Sequence, residues 1–455
     1  MYNWIPRLFL PATLVVASAA VADPLVIRNV NVVPMDQERV LEERTVLTEN
    51  GRISEIRGQG RYRAPRDAEI IDGDGRYLIP GMAEMHAHIP PSEDIGQQEL
   101  EDLLFLYLSN GVTLTRGMLG ADWHLELRKG LEDGETLGPR LITSGPSLNG
   151  NSVESPEHGA EMVHEQAEAG FDFLKIHPGL TREEFDAIAE AAEEAGIEFA
   201  GHVPADVGIE RALEAGYASI DHLDAYFPGM VDPEETEGME GGFFDYLLAP
   251  YVEEDRLKAI AEATRDAGVW NVPTETLMHN VLTLDIDNIH EDRPELKYMP
   301  ADTVDAWLER IEDMRGDEDF DPDAAEEYIQ LRKDLIRALH ELDAGLLHGS
   351  DAPQILNVPG FSIHHEMEIM AAAGLSPYEV LVTATRAPAE FFGEIGSSGT
   401  VAEDRRADLV LLEANPLEDL GHLRKIAGVI RDGVWLDQQR ITEQLEAIAE
   451  RQEED

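Results

Sequence analysis

Between about residue 78 and residue 392, short apolar runs alternate with amphipathic stretches long enough for helices, and this alternation constrains the fold more than any other feature of the chain. Eight runs can be counted: "LIPGMAEMHAHI", "GVTLTRGML", "PRLITSGPS", "FDFLKIHP", "GIEFAGHVP", "ASIDHLDAY", "GVWNVPTET" and "AGLLHGSDAP". Strands separated by helices pair in parallel, and eight strand–helix units predict an α/β fold closed as a (β/α)8 TIM barrel rather than an open sheet. One intervening stretch, "TREEFDAIAEAAEEAG", places Phe185, Ile188 and Ala192 on one helical face behind a Thr181 cap, with acids in its first turn. Outside the barrel, "PLVIRNVNVVPM" and "RTVLTENGRISEIR" precede it, while "ADLVLLEANP" and "IAGVIRDGVWL" follow it, all with strand patterning. The expected division is therefore residues 23–80 and 393–455 as two parts of a small β domain, the second ending in a helix, with the barrel at 81–392. Residues 1–22 carry one early arginine, an apolar run and "AVA" before Asp23. That is the pattern of a cleaved export signal, and it predicts a periplasmic protein with no stable membrane insertion once the signal is removed.

The polar residues of the eight runs share a depth. His86 and His88 lie near the end of the first run and, two positions apart in a strand, point to one face. Lys175 ends the apolar part of the fourth, His202 the fifth, His222 the sixth, and Asp351 stands in the eighth. All fall at the C-terminal ends of strands, where barrel enzymes build their sites. Four neutral imidazoles and a carboxylate suit zinc and similar divalent ions, with manganese, cobalt and nickel as alternatives. Lys175 fits such a set only if it is deprotonated or modified, because an ammonium repels a cation. His177, His348 and His364 are further candidates for substrate or supporting contacts.

Composition narrows the partners. Ninety-two acidic residues against 35 basic ones give a formal charge of −57, and only six of the basic residues are lysines. Such a surface repels polyanions, which excludes nucleic acid, and suits a halophilic protein whose self-repulsion is screened by salt. With no cysteine in the chain, thiolate ligands are excluded. A small-molecule substrate is the expected partner, and self-association is left open. Two acidic, Gly- and Pro-containing stretches, 227–256 and 278–330, follow the sixth and seventh runs. Insertions after barrel strands emerge at the catalytic mouth as loops or short helices.

The ordered set of HxH, strand-four lysine, two later histidines and last-strand aspartate resembles the metal-dependent amidohydrolase superfamily, in its imidazolonepropionase-like and prolidase-type branch. The resemblance runs from "IRNVNVVPMD" through "DFLKIH", "AGHVP", "ASIDHL" and "GSDAP" to "VIRDGVWL". It implies that His86, His88 and Asp351 hold a more buried metal and His202 and His222 a more exposed one. It further implies that Lys175, carboxylated by carbon dioxide, bridges the two, with a hydroxide between them and Asp351 as the catalytic proton acceptor. One departure is Asp221 before His222, where relatives often carry glutamate. The activity implied is hydrolysis of an amide C–N bond, in a dipeptide or N-acyl amino acid. Cyclic amide or lactone hydrolysis, one-metal deamination and a non-catalytic binding role are the alternatives.

Overall fold

The computed structural model describes residues 24–58, 60 and 64–454; the export signal expected at 1–22 lies outside them. The fold is α/β. One eight-stranded sheet combines strands from both ends of the chain, in the order Val434–Asp437, Ile426–Arg431, Leu409–Leu412, Tyr77–Pro80, Leu25–Val32, Leu41–Glu49 and Arg52–Gly58, with Glu69–Asp72 also paired to Leu25–Val32. The two ends meet where Leu409–Leu412 runs antiparallel to Tyr77–Pro80, with Leu411 opposite Leu78. Alternation along these strands serves two cores. Leu78, Leu409 and Leu411 pack with Val46 and Ile53 on one side. Ile79, Val410 and Leu412 face the main core on the other.

The remaining strands are parallel. Met82–Ala87, Val112–Gly117 and Arg140–Thr143 form one group, and Leu174–Ile176, Phe199–Gly201, Ser219–Asp221 and Trp270–Val272 form another. Parallel bridges link the groups at Ser144 to Phe173 and Leu148 to Ile176. The eighth run lies between Trp270–Val272 and Met82–Ala87, bridging Leu346 to Asn271 and Ala352 to Ala87, yet it forms no continuous strand. Its ladder is interrupted because the His348 N–H donates to Thr383 O and the Ser350 N–H to the Glu84 carboxylate. Backbone donors used this way cannot extend a sheet.

Helices cover the parallel strands. In Arg182–Ala195, Thr181 accepts from Glu184 N while the Glu184 carboxylate accepts from Thr181 N, and Gly196 closes the helix at φ 67°. Phe185, fully buried, stacks on Tyr217 at 5.7 Å. The acidic stretches are more helical than expected. The first holds Tyr226–Met230 and the 3₁₀ segment Phe243–Tyr251; the second holds Ala301–Gly316, 16 residues long, and enters Pro322–Glu341. They also dock on each other, with Asp321 N donating to Tyr246 Oη at 3.2 Å. The terminal helix Gln438–Glu454 is tied down by a two-point Arg451–Asp102 ion pair. Among the described residues, no helix is long and apolar enough to cross a membrane.

Candidate metal centre

Strand geometry delivers the site residues. Glu84, His86 and His88 alternate along and just beyond Met82–Ala87, so their side chains leave on one face. Lys175 is the middle residue of Leu174–Ile176, and His202 and His222 directly follow Phe199–Gly201 and Ser219–Asp221. Asp351 stands at φ 63° in the eighth run. Two glycines give the approach its room. A Cβ at Gly201 would lie 2.7 Å from Lys175 Cδ, and one at Gly349 would lie 2.9 Å from His86 N.

The six residues converge. The His86 ring is 5.3 Å from His88 and 4.5 Å from His222, which is 4.6 Å from His202. Asp351 Oδ1 lies 2.7 Å from His88 Nε2 and 3.4 Å from His86 Nε2, while Asp351 Oδ2 is 3.8 Å from His222 Nδ1. His86, His88 and Asp351 each offer a ligand atom within 4.8 Å of one another. Lys175 is fully buried, with Nζ 3.7 Å from Asp221 Oδ2.

Neighbouring groups fix the imidazoles. The Thr274 hydroxyl donates to Pro273 O at 2.8 Å, so towards His222 Nδ1, 2.7 Å away, it is an acceptor. His222 therefore carries its proton on Nδ1 and leaves the Nε2 lone pair free, a tautomer assigned from the hydrogen-bond network. Asp224 Oδ2, 3.0 Å from His202 Nδ1, does the same for that ring. Burial holds His86 and His222 well below the usual imidazole pKa, so both are neutral, as ligands must be. Burial also lowers the Lys175 amine, against the opposing pull of Asp221 and Asp351.

The donor set fits divalent metal. Lys175 Nζ, Asp221 Oδ2, Asp351 Oδ1 and His86 Nδ1 are buried without a hydrogen-bond partner, since the approaches of His86 Nδ1 to Asp221 Oδ2 at 2.9 Å and of His88 Nε2 to Asp351 Oδ1 at 2.7 Å lack hydrogen-bond alignment. Each buried unsatisfied polar group costs about 1–3 kcal/mol. Four at one point mark a place where a bound cation would satisfy what the protein alone does not.

His177 belongs beside this centre. Its ring stacks on His202 at 4.9 Å, and Nδ1 lies 2.6 Å from Ser147 Oγ. His348 and His364 do not reach it. With its backbone N–H committed to Thr383, His348 is enclosed, and burial lowers its ring to about 4. His364 Nε2 is 3.1 Å from Asn110 Oδ1, in a separate cavity with Tyr298, Phe361 and Arg424. Residues passed over in the sequence include Asp221 as a site carboxylate, Asp224, Thr274 and the buried Glu84. Period-two spacing from His86 was the available signal for Glu84. Phe244, 5.3 Å from His222, had none.

The amidohydrolase family model matches residues 77–436. Among solved structures, bottromycin amidohydrolase is similar at TM-score 0.71 and 23% identity, covering 95% of this chain and 92% of that one. A candidate prolidase from Bifidobacterium longum is similar at TM-score 0.69 and 22% identity, covering 94% and 99%. The adenine deaminase of Chelativorans sp. (strain BNC1) is 28% identical over 255 residues, 51% of this chain and 40% of that enzyme. The match thus spans less than half the length of that curated relative.

Proposed function

The chain belongs to the amidohydrolase family, and from that premise we propose a binuclear metal-dependent hydrolase that cleaves an amide C–N bond of a dipeptide or N-acyl amino acid. The observation that carries this reading is the meeting of four imidazoles, Asp351 and a buried Lys175 amine that makes no hydrogen bond, at one point. We take the two parallel strand groups and the bridged eighth run as one closed (β/α)8 barrel, which puts every one of these residues at its C-terminal mouth.

In this reading His86, His88 and Asp351 would hold one ion, His202 and His222 the other, and Lys175, if carboxylated, would be shared. When bound, such a pair supplies Lewis acidity for the scissile carbonyl and acidifies the attacking water. Asp351 takes the proton of that water and delivers it to the leaving nitrogen, so that water and amide become acid and amine. Gln354 Nε2, donating to Asp351 Oδ2 at 3.1 Å, orients the carboxylate for this transfer. Thr274 and Asp224 keep His222 and His202 in the ligating tautomer. Export and adaptation to salt, read from residues 1–22 and the −57 charge, belong to the same proposal.

A second reading, removal of an amino group from a nitrogen ring, is favoured by the likeness to adenine deaminase. Lys175→Ala separates the two: full activity in that variant supports one-metal deamination, and its loss supports the shared-lysine centre. The test of the main reading is the chain from Asp23 onward in molar salt with zinc or manganese, assayed chromatographically against dipeptides, N-acyl amino acids, cyclic amides, lactones and adenine. Free amino acids released from linear amides support it. Turnover of only cyclic compounds or adenine overturns the substrate.

A further inference from the structure

We propose that Phe244, on the first acidic stretch, is a specificity-determining residue: an aromatic wall against which an apolar substrate side chain packs, in the site read above as hydrolytic. Its ring lies 5.3 Å from His222 and 6.0 Å from His202, nearly parallel to the latter at 28°. His177 also stacks on His202, at 4.9 Å. Phe244 thus adds a phenyl ring to the group of rings around the proposed ligands, and it remains partly exposed. The ring is the group a substrate bound at the histidines would meet next.

The backbone is held there at a cost. Phe244 sits at φ 49°, ψ 40° and Asp245 at φ 63°, ψ 23°. This is the left-handed region, which a bulky aromatic avoids unless surrounding contacts impose it. Those contacts form a circuit. Tyr328 Oη donates to Phe244 O at 2.7 Å, Arg332 Nη1 donates to Tyr328 Oη at 2.9 Å, and the same Nη1 donates to His222 O at 2.9 Å. The guanidinium that anchors the His222 backbone therefore also fixes, through one hydroxyl, the residue whose ring returns onto the His222 ring. Position relative to the site is specified from both ends. Asp224, on His202, and Asp245, next in the chain, disfavour an acidic side chain, while the phenyl face favours an apolar one.

The test uses binding as well as turnover. Phenylalanine hydroxamate and glycine hydroxamate are titrated calorimetrically into the zinc-loaded full chain, with Phe244→Ala, Phe244→Leu and Tyr328→Phe as variants. Burying a phenyl ring against an aromatic wall predicts a preference of roughly tenfold or more for the phenylalanine probe in the wild type. Phe244→Ala lowers that ratio towards unity, Phe244→Leu keeps part of it, and Tyr328→Phe, which leaves the ring but frees its backbone, lowers it too. A ratio unchanged in Phe244→Ala, or equal loss for both probes, overturns the wall. A wild type that hydrolyses linear amides without preference overturns the wall and leaves the hydrolase. A wild type that binds neither probe and hydrolyses nothing overturns both.

Discussion

Arg332 makes five side-chain hydrogen bonds, and removing it has a calculable cost. Arg332 and Glu275 are both fully buried; Nε and Nη2 reach Glu275 Oε1 at 2.8 and 2.6 Å, and the remaining donors go to His222 O, Pro273 O and Tyr328 Oη, each at 2.9 Å. Arg332→Leu leaves a buried carboxylate whose Oε2 already lacks a partner. Breaking a buried pair from one side costs about 3–5 kcal/mol, while replacing both partners with apolar groups is close to neutral. Beyond Glu275, Pro273 O keeps the Thr274 hydroxyl and Tyr328 Oη keeps its bond to Phe244 O, so the further loss falls on His222 O, and the double variant Arg332→Met/Glu275→Leu should lose about 1–3 kcal/mol, less than Arg332→Leu alone. Urea unfolding in molar salt, followed by circular dichroism, measures both, with an unchanged denaturant slope required for comparison. A single-variant loss below about 1 kcal/mol, or a double-variant loss equal to the sum of the singles, would refute the reasoning.

Three further outcomes follow from other contacts. Burial and the neighbouring Glu275 raise Glu366 to about 8, so the stability it gives is full below the ordinary glutamate pKa and is lost as pH rises through about 8; Glu366→Gln should flatten the urea midpoint across that window, and parallel wild-type and variant curves would count against it. Thr274→Val removes the acceptor for His222 Nδ1 and should weaken zinc about 10–100-fold by chelator competition, with an unchanged affinity the contrary result. Phe185→Ala empties a site enclosed by Phe199 and Tyr217 and should cost about 3–5 kcal/mol in unfolding free energy, a loss under about 1 kcal/mol showing that the site collapses freely.

What could be read in advance followed from local rules. His86 and His88 share a face because strands have period two, and Thr181 opened a helix because caps are chemical. The pairing of the strands in 25–80 with those in 409–437 could be anticipated from apolar patterning at both ends. Tertiary competition was invisible. The eighth run has strand composition, yet Thr383 and Glu84, far away in sequence, take its backbone donors. His364 looked available until Asn110 met it, 254 residues away. Phe244 owes its place to Tyr328 and Arg332, neither of which carries a signal of that role.

The most direct measurement is metal content per chain, by mass spectrometry of the zinc-loaded protein freed of weakly held ions, alongside Lys175→Ala. The account predicts two ions in the wild type and loss of at least one in the variant. A single ion in both would contradict the shared-lysine centre on which the proposed hydrolase rests.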